Sequence, residues 1–133
     1  YGVYWSKMIR SPFALRLSAG FFTEDVLGQL LGIALPEEAF SRGYLQSALD
    51  KVWPPKYRVL GAMIGPSLLV SSVIFALGHL LTEWHVTRLA VFFPSLVFGW
   101  LRSRTKGVGS SVVFHAACNL LVIVLARGYQ LIK

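Results

Sequence analysis

The chain has 133 residues, 55% of them hydrophobic and only 14% charged, with a mean hydropathy of +0.60. A soluble domain carries roughly a quarter charged residues, so this one lacks the polar side chains to coat a water-facing surface. Its apolar content excludes disorder, and its single cysteine, Cys118, excludes a disulfide scaffold. Lys+Arg at 13 against Asp+Glu at 6 give a net charge of +7. On so apolar a chain that excess reads as the basic loops of an integral membrane protein, not as a nucleic-acid surface.

The length holds about four spanning helices of roughly 20 residues each. The expected fold is therefore all-α. It is a single domain, 1–133, forming a multi-pass transmembrane helical bundle of about four core spans with antiparallel neighbours, preceded by an N-terminal interfacial or partial helix. The chain opens on Tyr1, so residues upstream are expected, and no signal-peptide pattern is visible. Residues 1–22 mix Tyr4, Trp5, Phe13, Phe21 and Phe22 with Lys7, Arg10 and Arg16, the pattern of an interfacial helix or the end of an earlier span. An apolar stretch runs from Val26 to Leu35, and its helical pattern continues through Glu37, Glu38 and Arg42 to about Leu49. Lys51 to Arg58, with Pro54-Pro55, reads as a basic turn.

The clearest span is Val59 to Leu81, in which Gly61 and Gly65 predict a close helix–helix contact. Val86 to Leu101 is a shorter apolar segment that contains Pro94 and could cross only with help from its flanks. Arg102, Arg104 and Lys106 make a second basic turn, and Gly107 to Ala126 is the last span. The basic residues divide evenly between the two sides, so charge does not set the orientation. Trp53, Tyr57, Trp84, His85 and Trp100 read as interfacial residues, Cys118 as a small buried hydrophobe, and the basic turns as headgroup contacts.

Some polar residues lie where they are most expensive. Glu37, Glu38 and Arg42 as unpaired charges facing lipid would cost on the order of 8–10 kcal/mol, so they must face the bundle interior. Glu38 and Arg42 are i,i+4 neighbours and can pair, whereas Glu37 lies about 100° round the helix. His79 follows Phe75 by one helical turn, and His115 and Asn119 share one face of the last span. Each group alone could be an ion network, a satisfied core histidine or interhelical glue. Three groups on three spans point instead to convergence on one site. Depth fits for Glu37 and His115, each about 16 Å from the side on which the first span begins, and for Asn119 at roughly 10 Å. His79 falls only about 3 Å from the end of its span, which predicts a tilted or longer helix there. A cavity opening to the side where the first span begins would hold all four.

Glu37-Glu38-Ala-Phe-Ser-Arg42 reads EExxxR, Phe75-Ala-Leu-Gly-His79 reads FxxxH, and His115-Ala-Ala-Cys-Asn119 reads HxxxN. In this order, over roughly residues 24–126, they resemble the CAAX protease and bacteriocin-processing family (CPBP, or Abi) of glutamate-dependent intramembrane endopeptidases, which includes the Rce1-type prenyl-protein proteases. The resemblance implies a peptidase with no metal or other cofactor, in which Glu37 activates water and His79 helps bind and polarise it. His115 and Asn119 would form the oxyanion hole, with Glu38 and Arg42 supporting Glu37 and Phe75 packing beside His79. It further implies a multi-pass membrane protein acting on a membrane-anchored or lipidated peptide and not on nucleic acid, and the small size of the chain points to a prokaryotic cell membrane. Two other readings compete. Glu37, His79 and His115 could be the three protein ligands of a catalytic zinc, although no HExxH places two of them on one helical turn. A non-catalytic immunity factor, scaffold or ion-conducting bundle would also use intramembrane charges.

Overall fold

The computed structural model describes residues 13–15, 17–82 and 84–131. Tyr4, Trp5, Lys7, Arg10 and Arg16 lie outside them, so most of the expected N-terminal interfacial helix does too. The described residues before Phe21 are not helical: Ala14 N–H donates to the Gly128 carbonyl at 3.1 Å, and the Phe13 ring meets Tyr129 edge-on at 5.3 Å.

Helix α1 (21–52) covers the charged segment. Wide turns with five-residue hydrogen bonds occupy Phe21–Val26, Gly28–Ala34 and Ala39–Gln46, and ordinary α-helical turns occupy Leu35–Glu38 and Ser47–Val52. The Leu27 and Leu35 amides donate to the carbonyls of Phe22 and Leu30 respectively. Pro36 accounts for part of this. A proline inside a helix removes one donor and crowds the carbonyl four residues back, here that of Gly32, and wider turns upstream give the ring room.

The chain then departs from the expected all-helical plan. Tyr57–Val59 (β1) pairs antiparallel with Ala62–Ile64 (β2), Val59 opposite Ala62, around a two-residue turn. Leu60 and Gly61 both take positive φ, 47° and 82°, as a mirror-image hairpin turn requires. Gly61 is thus a turn residue, and Gly65 sits against Pro55, where an added Cβ would lie 2.9 Å from the Pro55 Cα. The close helical contact predicted at these glycines does not form, because the helix starts only at Pro66.

Helix α2 (Pro66–Thr82) follows, with proline at the first position, where its missing N–H is harmless. A short 3₁₀ segment, Val86–Val91, is capped by His85 and leads into α3 (Phe92–Thr105). Pro94 lies in the first turn of α3, so it does not break the helix. Lys106 ends α3 in the left-handed conformation, and α4 (Gly109–Gly128) completes the bundle. Among the described residues only α4 is both long and apolar enough to cross a membrane by length and composition, while α2 is apolar but 17 residues long.

Small residues bring the helices together. Ala34 of α1 packs with Val112 and Ala116 of α4, and Ser67, Ser71, Ser72, Ser95 and Ser111 are buried at the interfaces. A Cβ on Gly99 would lie 3.0 Å from Gln46 Oε1 and 3.2 Å from Leu68 Cγ, so α3 approaches α1 and α2 as closely as glycine allows. Helices α1 and α4 run antiparallel, clamped near one end by the two-pronged pair of Arg127 with Asp25. At the other end Arg102 of α3 holds Asp50 of α1 at 2.6 Å, so Arg102 is an internal tie more than a headgroup contact.

Candidate active site

Glu37 and Glu38 lie in the α-helical stretch of α1 between two wide segments, so their side chains point in different directions and meet different partners. Glu38 is wholly buried and pairs with Arg42, Oε2 to Nε at 3.3 Å. Its Oε1 accepts from His115 Nδ1 at 3.1 Å. Arg42 is also wholly buried. Its Nη2 donates to Ser95 Oγ at 2.6 Å, its Nη1 to Ser71 Oγ at 3.5 Å, and its guanidinium lies over the Phe75 ring at 5.1 Å. These contacts tie α1, α2, α3 and α4 into one polar centre. Glu38 and Arg42, expected to support the position of Glu37, contact His115 and the helices around it.

Glu37 faces the other way. Its Oε2 is 3.8 Å from His79 Nε2 and 3.8 Å from His115 Nε2, and it has no hydrogen-bond partner among the described residues. Both separations exceed direct hydrogen-bond range but suit a single bridging water. The side chain is 38% exposed, in contrast to Glu38.

The two imidazoles are oriented from behind. His79 Nδ1 lies 3.0 Å from the Phe75 carbonyl, which can only accept, so Nδ1 carries the proton and a neutral ring presents a lone pair at Nε2. His115 Nδ1 likewise donates to the Glu38 carboxylate. Phe75 packs against both rings, at 4.5 Å from His79 and 5.8 Å from His115, and Phe98 stacks on His115 at 4.8 Å with 15° between planes. Asn119 stands one turn along α4 from His115, and its Nδ2 donates to Gln29 Oε1 at 2.9 Å.

At the end of α2 that carries His79 the helix runs to Thr82, one residue beyond the expected Leu81, so the predicted depth mismatch is scarcely reduced by length. His79 is three residues from the end of α2, about 5 Å, whereas His115 is 13 residues from the end of α4, about 20 Å. With both rings on Glu37, α2 stops well below the top of α4. Helix α3 begins six residues before Phe98, about 9 Å above the ring that stacks on His115. The acid–base cluster therefore lies near the end of α2 but midway along α1 and α4.

Sequence reasoning missed Gln29, Ser71, Ser95 and Phe98. The first three are polar residues within apolar runs, a signal that was legible. Phe98 gave none, because one more aromatic in an apolar segment looks like core. Cys118 is a free, half-buried thiol. Among the described residues no group of three or more His, Cys, Asp or Glu is arranged to hold a metal ion, and the Glu37, His79, His115 set proposed for zinc is no exception.

Comparison with curated proteins returns no match, and neither does comparison with solved structures. A family model for type II CAAX prenyl endopeptidases of the Rce1-like kind matches residues 19–121, which spans all three motifs. With three-quarters of its length inside that match, the chain belongs to the Rce1-like CAAX endopeptidases, a family of helical membrane proteases.

Proposed function

We propose that this protein is a multi-pass intramembrane endopeptidase that hydrolyses a peptide bond close to a lipidated, membrane-held segment, with Glu37 as general base. The observation that carries the reading is the position of Glu37 Oε2 between two imidazole nitrogens from two other helices. A water bridging Glu37 Oε2 and His79 Nε2 donates one proton toward each acceptor, which leaves an oxygen lone pair free to attack. Glu37 takes a proton as the water oxygen bonds to the scissile carbonyl carbon. The carbonyl oxygen becomes an oxyanion and accepts from His115 Nε2–H and the Asn119 amide. Collapse of the tetrahedral intermediate breaks the C–N bond, and Glu37 returns the proton to the leaving amine. With its Nδ1–H hydrogen-bonded to the Glu38 carboxylate, His115 donates from Nε2 in the form that carries protons on both ring nitrogens. Each such donor contributes about 3–4 kcal/mol in a water-poor site.

Burial supports placement in a bilayer. Glu38, Arg42 and six serines are buried, whereas Leu77, Val113, Leu121 and Val122 lie 49–66% exposed on the outside of α2 and α4. That arrangement inverts a soluble protein and suits lipid. It supports α1 to α4 as the membrane-embedded elements, with local thinning or headgroup-level ends for the short α2 and α3. The family name directs the substrate reading to prenylated proteins cleaved near the modified cysteine.

The test is cleavage of a prenylated C-terminal peptide by purified protein in liposomes, followed by mass spectrometry. Glu37→Gln and His79→Ala should each lose at least about 100-fold in rate while unfolding like the wild type. Full activity in the folded Glu37→Gln variant would refute the reading and favour a non-catalytic role.

A further inference from the structure

We infer that Gln29 is a positioning residue for the oxyanion site: it holds the Asn119 amide in place by accepting from its Nδ2. The inference rests on the reading of Asn119 as an oxyanion donor and adds a residue that lies outside the three motifs.

Gln29 is the one polar side chain in the run Val26 to Leu35, and it lies on the wide-turn segment Gly28–Ala34 of α1. A polar amide in that environment is destabilising unless it is hydrogen-bonded. Its Oε1 accepts from Asn119 Nδ2 at 2.9 Å, across 90 residues of sequence and at a partly buried position. The contact lies along the α1–α4 seam between the Asp25–Arg127 clamp and the Glu38–His115 pair, so the helices on both sides of it are already held in register.

An asparagine amide has two ends of nearly equal shape and opposite polarity. Only Nδ2 can stabilise an oxyanion; the same side chain rotated by half a turn would present Oδ1 and repel the developing charge. In the observed arrangement Asn119 gives one Nδ2 proton to Gln29 Oε1 and keeps the second for the substrate oxygen. Gln29 thus does for Asn119 what Glu38 does for His115. Each donor of the oxyanion pair is oriented from α1 by an acceptor on its far side.

The experiment is a double-mutant cycle on the membrane-reconstituted enzyme with a prenylated peptide. Gln29→Met keeps the length and apolar packing of the side chain but removes the acceptor. Expected is a fall in kcat of about 10- to 100-fold with KM within twofold, because the lost interaction matters only in the transition state. In the Asn119→Ala background the same substitution should lower kcat no further. Gln29→Ala, taken through the same cycle, serves if the methionine variant folds poorly, since a general loss of fold would lower activity equally in both backgrounds. An equal fall in both backgrounds, or an unchanged kcat in the single variant, overturns the inference while leaving the protease reading intact. Full activity of Asn119→Ala itself removes the oxyanion role of Asn119, and this inference with it.

Discussion

Arg42→Met tests whether the buried ion pair is the structural centre of the protein. The methionine preserves the unbranched stem but removes a guanidinium that is wholly buried and contacts Glu38, Ser71, Ser95 and the Phe75 ring. What remains is the Glu38 carboxylate, at 0% exposure, facing His115 alone. Breaking a buried pair from one side typically costs about 3–5 kcal/mol, mostly because the surviving charge is uncompensated. The double variant Glu38→Gln/Arg42→Met removes both charges and leaves a neutral amide that can still accept from His115. Its stability should therefore lie at least about 2 kcal/mol above the sum of the single effects. Denaturant unfolding in detergent micelles, followed by fluorescence of the four tryptophans, measures all three variants. Peptide cleavage measured alongside should separate from stability. The double variant recovers its fold but stays on the order of 10²–10⁴-fold slow, because His115 has lost the charged acceptor at its Nδ1. An Arg42→Met protein within 1 kcal/mol of wild type, on the scale of an exposed pair, would refute the reasoning, as would strictly additive effects.

Two further substitutions probe the scaffold. Phe98→Ala removes a buried ring stacked on His115 and in edge contact with Phe75 and Phe114, and should destabilise by about 3–5 kcal/mol in the same unfolding assay. A loss below 1 kcal/mol would mean the ring is not packed as described. Gly61→Val places a β-branched side chain at φ 82°, a conformation L residues rarely adopt, and displaces the Arg104 guanidinium, so the hairpin turn is strained. The expected cost is about 1–2 kcal/mol, read as faster limited proteolysis within residues 57–64; unchanged proteolysis would count against the turn.

Much of the site was legible because it consists of short local spacings that an α-helix converts into shared faces. The i,i+4 pairing of Glu38 with Arg42 needs no tertiary information, and neither does the stacking of Phe75 on His79 at 4.5 Å. The segregation of Glu37 from Glu38 onto different faces followed from the 100° helical step, and the structure gives the two carboxylates different partners. What failed depended on where a helix starts. Val59 to Ile64 is apolar enough for a span, yet Pro54-Pro55 and the positive φ of Gly61 make it a hairpin, so α2 begins at Pro66 and the predicted Gly61–Gly65 contact has no helix to sit on. Close approach falls to Gly99 and the buried serines instead.

Composition alone determined that the chain is suited to a bilayer, since 14% charged residues cannot cover a water-facing surface. Motif spacing determined which side chains share a helix face, because the repeat of a helix is fixed by its backbone. Only the tertiary structure decided which faces meet. It joined Glu38 to His115 across 77 residues and Asn119 to Gln29 across 90, and it set Glu37 Oε2 between the imidazoles of His79 and His115. Those outcomes depend on helix lengths and on the close packing of small residues between helices. Both are properties of several segments at once, so neither can be read from the pattern of one.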